Sequence, residues 1–224
     1  MRHDLQIAID GPAGVGKSTV GELLAKRLGY LYLDTGAMYR ALTWLALQRK
    51  IDLEDEVTLG PLAETFAMDI TVPTVDDGRQ YTVTVEGRDV TWELRSPEVD
   101  HAVSLVSHHP RVRAAMRKRQ RARGERGGVV MAGRDIGTVV LPNAQIKVYL
   151  TATLEERARR RWLELRAKQD AAPTLEEVLA EVQRRDALDS AQSQPAADAV
   201  IIHTDNSTVE QVLERIVELI HERV

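Results

Sequence analysis

The chain contains no cysteine. Disulfides, thiolate nucleophiles and cysteine-ligated metal sites are therefore excluded. Aromatic side chains make up only 4% of its 224 residues, with a single phenylalanine, so aliphatic side chains must fill most of the core. No apolar run approaches the ~20 residues needed to cross a bilayer. The amino terminus, Met1-Arg2-His3-Asp4, leads straight into a short apolar stretch without the plan of a secretory signal. These absences predict a cytoplasmic protein that does not engage a membrane.

What is present is ordinary in bulk and uneven in detail. The chain is 43% hydrophobic and 29% charged, and its length suits one sizeable domain or a core carrying insertions. Its net charge of −4 hides two basic segments: residues 111–126 hold eight Arg or Lys against one Glu, and residues 157–168 add five Arg and one Lys. A charge run reads first as a solvated helix face. A nucleic-acid surface is the second reading, but it usually comes with a basic domain or a recognisable module, and neither is visible. The third is a set of cations gathered around phosphates, and its weight depends on the rest of the chain.

Five short apolar runs read as buried strands: Leu5–Ile9, Leu31–Leu33, Val129–Ala132, Ile146–Leu150 and Val200–Ile202. Helical patterns separate them, which predicts an α/β fold with a parallel sheet covered by helices on both faces. Thr153 with Glu156, Thr174 with Glu177 and Ser207 with Glu210 have the spacing of a capping box, in which two side chains satisfy orphan backbone amides. A last helix at about 208–222 places Val209, Val212, Leu213, Ile216, Val217 and Ile220 on one face, toward the sheet. One segment breaks the alternation. Residues 68–92 are rich in Thr and Val, with Asp77-Gly78 as a hairpin signal between two β-prone runs and Glu86-Gly87 before a third. A small antiparallel insertion is expected there. A flexible loop is expected at 190–197.

The chemistry begins at Gly11-Pro12-Ala13-Gly14-Val15-Gly16-Lys17-Ser18, which matches GxxxxGK[ST] at every fixed position. An apolar strand precedes it and a helical pattern through about Leu28 follows. Glycines let the backbone curl so that successive amides point at phosphate oxygens, and the helix N-terminus adds positive partial charge. Lys17 neutralises the β and γ phosphates of a nucleoside triphosphate, while Ser18 holds the Mg2+ that accompanies it. The loop extends to Thr19. No Asn-Lys-x-Asp string is present to read guanine, and no transporter-type ATPase signature occurs. Arginines at several strand ends favour phosphoryl transfer between two polyanions, which needs fixed cations and exclusion of water.

Asp34-Thr35-Gly36-Ala37-Met38-Tyr39-Arg40 after the second strand and Gly133-Arg134-Asp135-Ile136-Gly137-Thr138 after the third complete a pattern. With Pro110-Arg111-Val112-Arg113, Arg185-Asp186-x-x-Asp189 and Pro195-Ala196-Ala197-Asp198-Ala199, they closely resemble the signatures of bacterial cytidylate kinases. The resemblance runs nearly end to end. It implies a P-loop NTPase core with a five-stranded parallel sheet, a small antiparallel insertion and a helical lid. It implies transfer of phosphate from ATP, with Mg2+, to CMP or dCMP by a monomer that does not bind nucleic acid. Core segments fall at about 1–37, 105–152 and 195–224, the acceptor-binding region at 38–104 and the lid at 153–194.

Residue roles follow from the same resemblance. The acceptor phosphate meets Arg40, Arg134 and Arg185, with Lys17, Arg134 and Arg185 carrying the transfer. Asp135 accepts from the cytosine amine, assisted by Ser104 and Arg113; uracil presents a carbonyl at that edge, so the same carboxylate repels it. Thr35 and Asp189 reach the sugar. Tyr39 packs on the base or in the core. Arg157 and Arg161, four apart on one helix face, belong to the lid and are the candidates for binding ATP, with the choice among the lid arginines left open. Asp10 and Asp34 sit beside the loop as outer partners of the magnesium ion or as caps. One departure stands out: the family usually has an arginine three positions beyond Asp189, and this chain has Gln192. Either Arg184 or another lid arginine takes its place, or acceptor binding is weaker.

Overall fold

The computed structural model describes residues 4–167, 173–189 and 192–223. Strand β1 (Gln6–Asp10) runs through the phosphate loop into helix α1 (Lys17–Leu28), followed by β2 (Leu31–Asp34) and α2 (Thr35–Gln48). Helix α3 (Glu56–Thr65) leads to three short strands, β3 (Met68–Thr71), β4 (Thr82–Val85) and β5 (Arg88–Asp89). Helices α4 (Pro97–His108) and α5 (Pro110–Gly124) return the chain to β6 (Val129–Gly133). A wide turn at Ile136–Val140 precedes β7 (Ile146–Thr151). Helices α6 (Leu154–Arg166) and α7 (Leu175–Asp189) pair with each other, and β8 (Val200–His203) and α8 (Val209–Arg223) complete the chain.

The five predicted strands form one parallel sheet in the order β2-β6-β1-β7-β8. Every residue of β6 and nearly every residue of β1 is buried, which is why these strands read as continuous apolar runs rather than alternating ones. The chain leaves β1 toward one edge and leaves β6 toward the other. That change of direction puts the crevice beyond the carboxyl ends of the central strands, where ligands bind in open α/β sheets. On one face, α8 buries Val212, Ile216, Val217, Leu219 and Ile220 against α1 and β7. Each such aliphatic side chain contributes about 1.5–3 kcal/mol of transfer free energy. Among the described residues no helix is long and apolar enough to cross a membrane.

The insertion is antiparallel, as its Thr/Val pattern predicts, but its tight turn lies elsewhere. Thr71 pairs with Thr82, so Asp77-Gly78 sits in a ten-residue loop. The two-residue turn is Glu86-Gly87, between Val85 and Arg88, with φ of 52° and 81°, the backbone that matches the twist of a hairpin. Asp77 instead anchors the loop: its carboxylate accepts from the Arg79 guanidinium and from Trp92 Nε1 at 2.9 Å.

The helix starts divide similarly. Thr174 and Glu177 form the full reciprocal box. Thr153 caps α6, but its own amide is taken by Asp205 rather than Glu156. At α8 the box is Thr208 with Gln211, one residue beyond the predicted Ser207–Glu210 pair. The predicted loop at 190–197 begins on residues 190 and 191, which lie outside the described ones.

The α6–α7 pair has a small core of its own. Ala158, Val178 and Val182 pack with Leu154, Trp162, Leu165 and Leu179, separate from the main cluster.

Candidate active site

The phosphate loop owes its shape to three positive-φ glycines, Gly11 (145°), Gly14 (80°) and Gly16 (93°). At Gly11 a side chain is impossible on a second count, because a Cβ there would lie 2.1 Å from the Leu150 carbonyl oxygen. Lys17 is buried, and its ammonium donates to the carbonyls of Gly11 (2.7 Å) and Pro12 (2.6 Å). Burial holds its pKa well below the ordinary lysine value, and the nearby Arg134 cation lowers it further. A polyphosphate entering the loop would relieve both effects.

The two carboxylates beside the loop have separate duties. Asp10 is buried and accepts from the amides of Ile136 (2.8 Å) and Gly137 (2.7 Å), capping the turn after β6. Burial raises its pKa in spite of these bonds. Asp34 caps α2 through Gly36 N at 2.9 Å. Among the described residues no three His, Cys, Asp or Glu side chains converge to hold a metal unaided. That suits magnesium, which takes one or two protein oxygens and completes its shell with water and phosphate. The Ser18 hydroxyl at the start of α1 would supply one such oxygen, and the buried Tyr32 hydroxyl lies beside it.

A few ångströms along the sheet, arginines converge. Arg40 on α2 pairs with Asp100 on α4 and donates to the Leu94 carbonyl. Arg161 on α6 reaches the other oxygen of Asp100 at 3.4 Å. Arg134, just past β6, donates to Asp189 at 3.0 Å. Arg185 on α7 lies within the fields of Arg40, Arg134 and Asp100; burial and then Arg40 lower its pKa. Four guanidiniums from four elements thus gather around Asp100, Asp189 and Glu181. An arginine stays charged at any working pH and forks onto phosphate oxygens, so the cluster can receive a dianion.

Beyond Arg134, Asp135 is nearly enclosed. One oxygen, Oδ2, accepts from Arg113 Nη2 (2.9 Å) and Arg117 Nη2 (2.7 Å), both on α5. Arg113 also donates to Ser107 O and stands over the Tyr39 ring, 5.9 Å from its centroid. The Tyr39 phenol is pushed up by burial. Ser104 lies half-buried on α4, and its hydroxyl makes no hydrogen bond among the described residues. Thr35 is buried at the first turn of α2 and donates to Ala132 O at 2.9 Å.

The basic run at 111–126 is divided: Arg111, Lys118, Arg121 and Arg126 are exposed, while several of its guanidiniums have partners within the fold. Arg113 and Arg117 hold Asp135; Arg119 donates to the carbonyls of Ala63 and Phe66; Arg121 donates to those of Val139 and Val140. These guanidiniums brace the acceptor side of the molecule.

Arg157 is buried against the phosphate loop. It forms a fork with Asp186 (2.9 and 2.5 Å) and donates to Ala13 O at 3.2 Å. Arg161 instead faces the acceptor cluster. Arg184 pairs with Glu181 on the outer side of α7, whereas Arg161 shares Asp100 with Arg40. Gln192 itself, through its backbone, continues the turn at Asp189. An open groove of about 760 Å³ lies between the start of α6 and the segment after β8, lined in part by Thr153, Glu156, Arg159, His203, Asp205 and Asn206.

Three partners lie outside the predicted set. Arg117 had a signal, being one helical turn after Arg113. Asp186 stood inside a quoted motif without a role. Asp100 carried no local signal at all. Asp198, also in a motif, proves to be the counter-ion of the buried Lys147 at 2.9 Å.

Comparisons with known proteins show the family and the fold. The cytidylate kinase family model matches residues 7–222. A cytidylate kinase of Chloroflexus aggregans is 56% identical over 93% of this chain and 90% of its own. One from Geobacillus sp. is 50% identical over the full length of both. Among solved structures, a shikimate kinase from Bacteroides thetaiotaomicron superposes with a TM-score of 0.50 at 16% identity, covering 97% of this chain and 98% of that one. That likeness concerns the fold alone.

Proposed function

The chain belongs to the cytidylate kinase family, and on that premise we propose that it transfers the γ-phosphoryl group of ATP to CMP or dCMP. The products are ADP and CDP or dCDP. The observation that carries the reading is the adjacency of two cation sets. Lys17 in the phosphate loop lies within the field of Arg134, and Arg134 lies within that of Arg185, which in turn neighbours Arg40. Two polyanions can therefore be held side by side.

ATP binds with its phosphates in the loop, from Gly11, Pro12, Ala13, Gly14, Val15 and Gly16 to Lys17, Ser18 and Thr19. Ser18 would hold Mg2+, which when bound would neutralise charge that builds on the transferred group. Lys17 leaves its two carbonyl partners for the phosphate oxygens. Arg40 exchanges Asp100, Arg134 exchanges Asp189 and Arg185 exchanges its 3.8 Å contact with Glu181 for the acceptor phosphate, and together they align one of its oxygens with the γ phosphorus. No protein nucleophile is required, and no strong base, because the acceptor phosphate is already ionised. Asp189, released from Arg134, and Thr35 are placed for the sugar. Asp135 takes the base amine, with Arg113 and Ser104 near its ring. The separate small core of α6 and α7 supports their acting as a lid that excludes water during transfer.

The inward commitment of the α5 arginines supports an acceptor-site role for that segment over a nucleic-acid one. ADP release measured with CMP, dCMP, UMP, AMP and GMP tests the proposal. Turnover should be confined largely to CMP and dCMP; equal rates with all five, or none with CMP, would sink it.

A further inference from the structure

The acceptor-base reading above leaves a difficulty that Arg113 alone does not solve. If Arg113 turns toward a pyrimidine ring, it must give up part of its hold on Asp135. A carboxylate so enclosed, left without a counter-ion, would be costly and free to rotate. The structure supplies a second cation: Arg117 donates to the same Oδ2 at 2.7 Å, the shorter of the two contacts.

We propose that Arg117 is a positioning and specificity-determining residue for the acceptor base. It clamps Oδ2 of Asp135, keeps Oδ1 turned toward the base amine, and frees Arg113 to donate to the ring. The inference rests on the reading of Asp135 as the base-binding carboxylate.

Two observations support it. With both guanidiniums on Oδ2, the second carboxylate oxygen accepts no protein hydrogen bond among the described residues, so the acceptor directed at a ligand is not used internally. And Arg117 is not placed for its own comfort. Its Nε is buried and has no partner, an arrangement that costs free energy and calls for a compensating reason. The neighbouring Gln120, one turn further along the same helix face, is buried with its side-chain amide against the Tyr39 hydroxyl. Arg113, Arg117 and Gln120 thus form a polar stripe beside Tyr39, whose phenol is influenced by all three. A polar stripe with a spare donor, buried beside an aromatic ring, is suited to a ring that carries acceptors.

The test compares wild type, Arg117→Met and Arg117→Lys by steady-state kinetics with CMP and with UMP, and with ATP as the varied donor. Loss of one charge-assisted hydrogen bond predicts a KM for CMP raised roughly tenfold or more in Arg117→Met. Its kcat should stay within about threefold, its KM for ATP should be unchanged, and its preference for CMP over UMP should fall by at least about fivefold. Arg117→Lys, which restores the cation without the fork, should recover part of both the KM and the preference. Melting temperatures are measured in parallel, and Arg117→Gln replaces the methionine variant if that one does not fold. An unchanged CMP KM and CMP/UMP ratio overturn the proposal. So does an equal loss toward CMP, UMP and ATP, which would mark a purely structural role. If wild type itself fails to phosphorylate CMP, the base-site reading falls first and this inference with it.

Discussion

Replacing Asp135 by asparagine removes one charge and keeps the shape, so it isolates what the carboxylate does. In the folded protein Asp135 accepts from two guanidiniums at 2.9 and 2.7 Å, with side-chain exposures of 11% for Asp135, 13% for Arg113 and 33% for Arg117. A charge-assisted hydrogen bond contributes roughly 1.5–3 kcal/mol. Asparagine retains one neutral acceptor, and the partial exposure of Arg117 screens its share. The net loss is then about 2–4 kcal/mol. For a chain of this length that lowers Tm by roughly 4–16 °C, read by differential scanning calorimetry without ligand. Function should change in a second, separable way. An asparagine amide can either donate or accept, so the base edge no longer separates an amine from a carbonyl. At about 1–3 kcal/mol for an unpaired buried group, the kcat/KM preference for CMP over UMP should fall by about fivefold to a hundredfold. The coupled ADP-release assay measures it. A variant with Tm within about 2 °C of wild type would refute the energetic argument. An unchanged CMP/UMP ratio would refute the assignment of the base.

Three further outcomes follow from other parts of the molecule. Lys17→Met should lower kcat by about a thousandfold or more, yet leave the ligand-free Tm equal or higher. The depressed pKa of the buried ammonium means that its charge opposes folding at neutral pH; a large drop in Tm would show that its bonds to Gly11 and Pro12 outweigh burial. Gly11→Ala should abolish ATP binding and destabilise the fold by roughly 3 kcal/mol or more, because its Cβ meets the Leu150 carbonyl; thermal shift with and without ATP reads both. Acid should loosen the inserted sheet before the core does. Arg79, then Trp92, hold the Asp77 carboxyl well below its usual range, and Arg79, then Thr91, hold Asp89 at about 2. Both pKa values are depressed on folding, so their contribution is intact above the ordinary value of 3.8 and disappears as pH falls toward about 2. Trp92 emission, with Trp44 and Trp162 replaced by Phe, should hold steady from neutrality to about pH 4 and change below it. A change centred above about pH 5 would contradict the pairing.

The phosphate loop was fully legible because everything it needs is local. Positive-φ positions take glycine, the lysine follows at a fixed spacing, and strand and helix flank it in sequence. The same locality made the five core strands readable: a strand buried on both faces must be apolar throughout. Where two local signals competed, the chain alone was ambiguous. Asp77-Gly78 looks like a hairpin turn, but the pairing of Thr71 with Thr82 put the turn at Glu86-Gly87. Ser207 and Thr208 both look like caps, and the start of α8 selected Thr208 with Gln211.

By itself, then, the sequence determined the loop, the parallel core and, through its strand-end motifs, the family. Only the tertiary structure decided what the charges do. A guanidinium's partner can be a residue dozens of positions away, and no periodicity encodes it. Thus the run at 111–126 looks uniform in sequence, whereas in the fold α5 turns Arg113 and Arg117 onto Asp135, turns Arg119 and Arg121 onto backbone carbonyls, and leaves Arg111, Lys118 and Arg126 exposed. Asp100 joins Arg40, 60 residues before it, to Arg161, 61 residues after it. Backbone conformation is set largely by neighbours in sequence, whereas electrostatic pairing is set by neighbours in space.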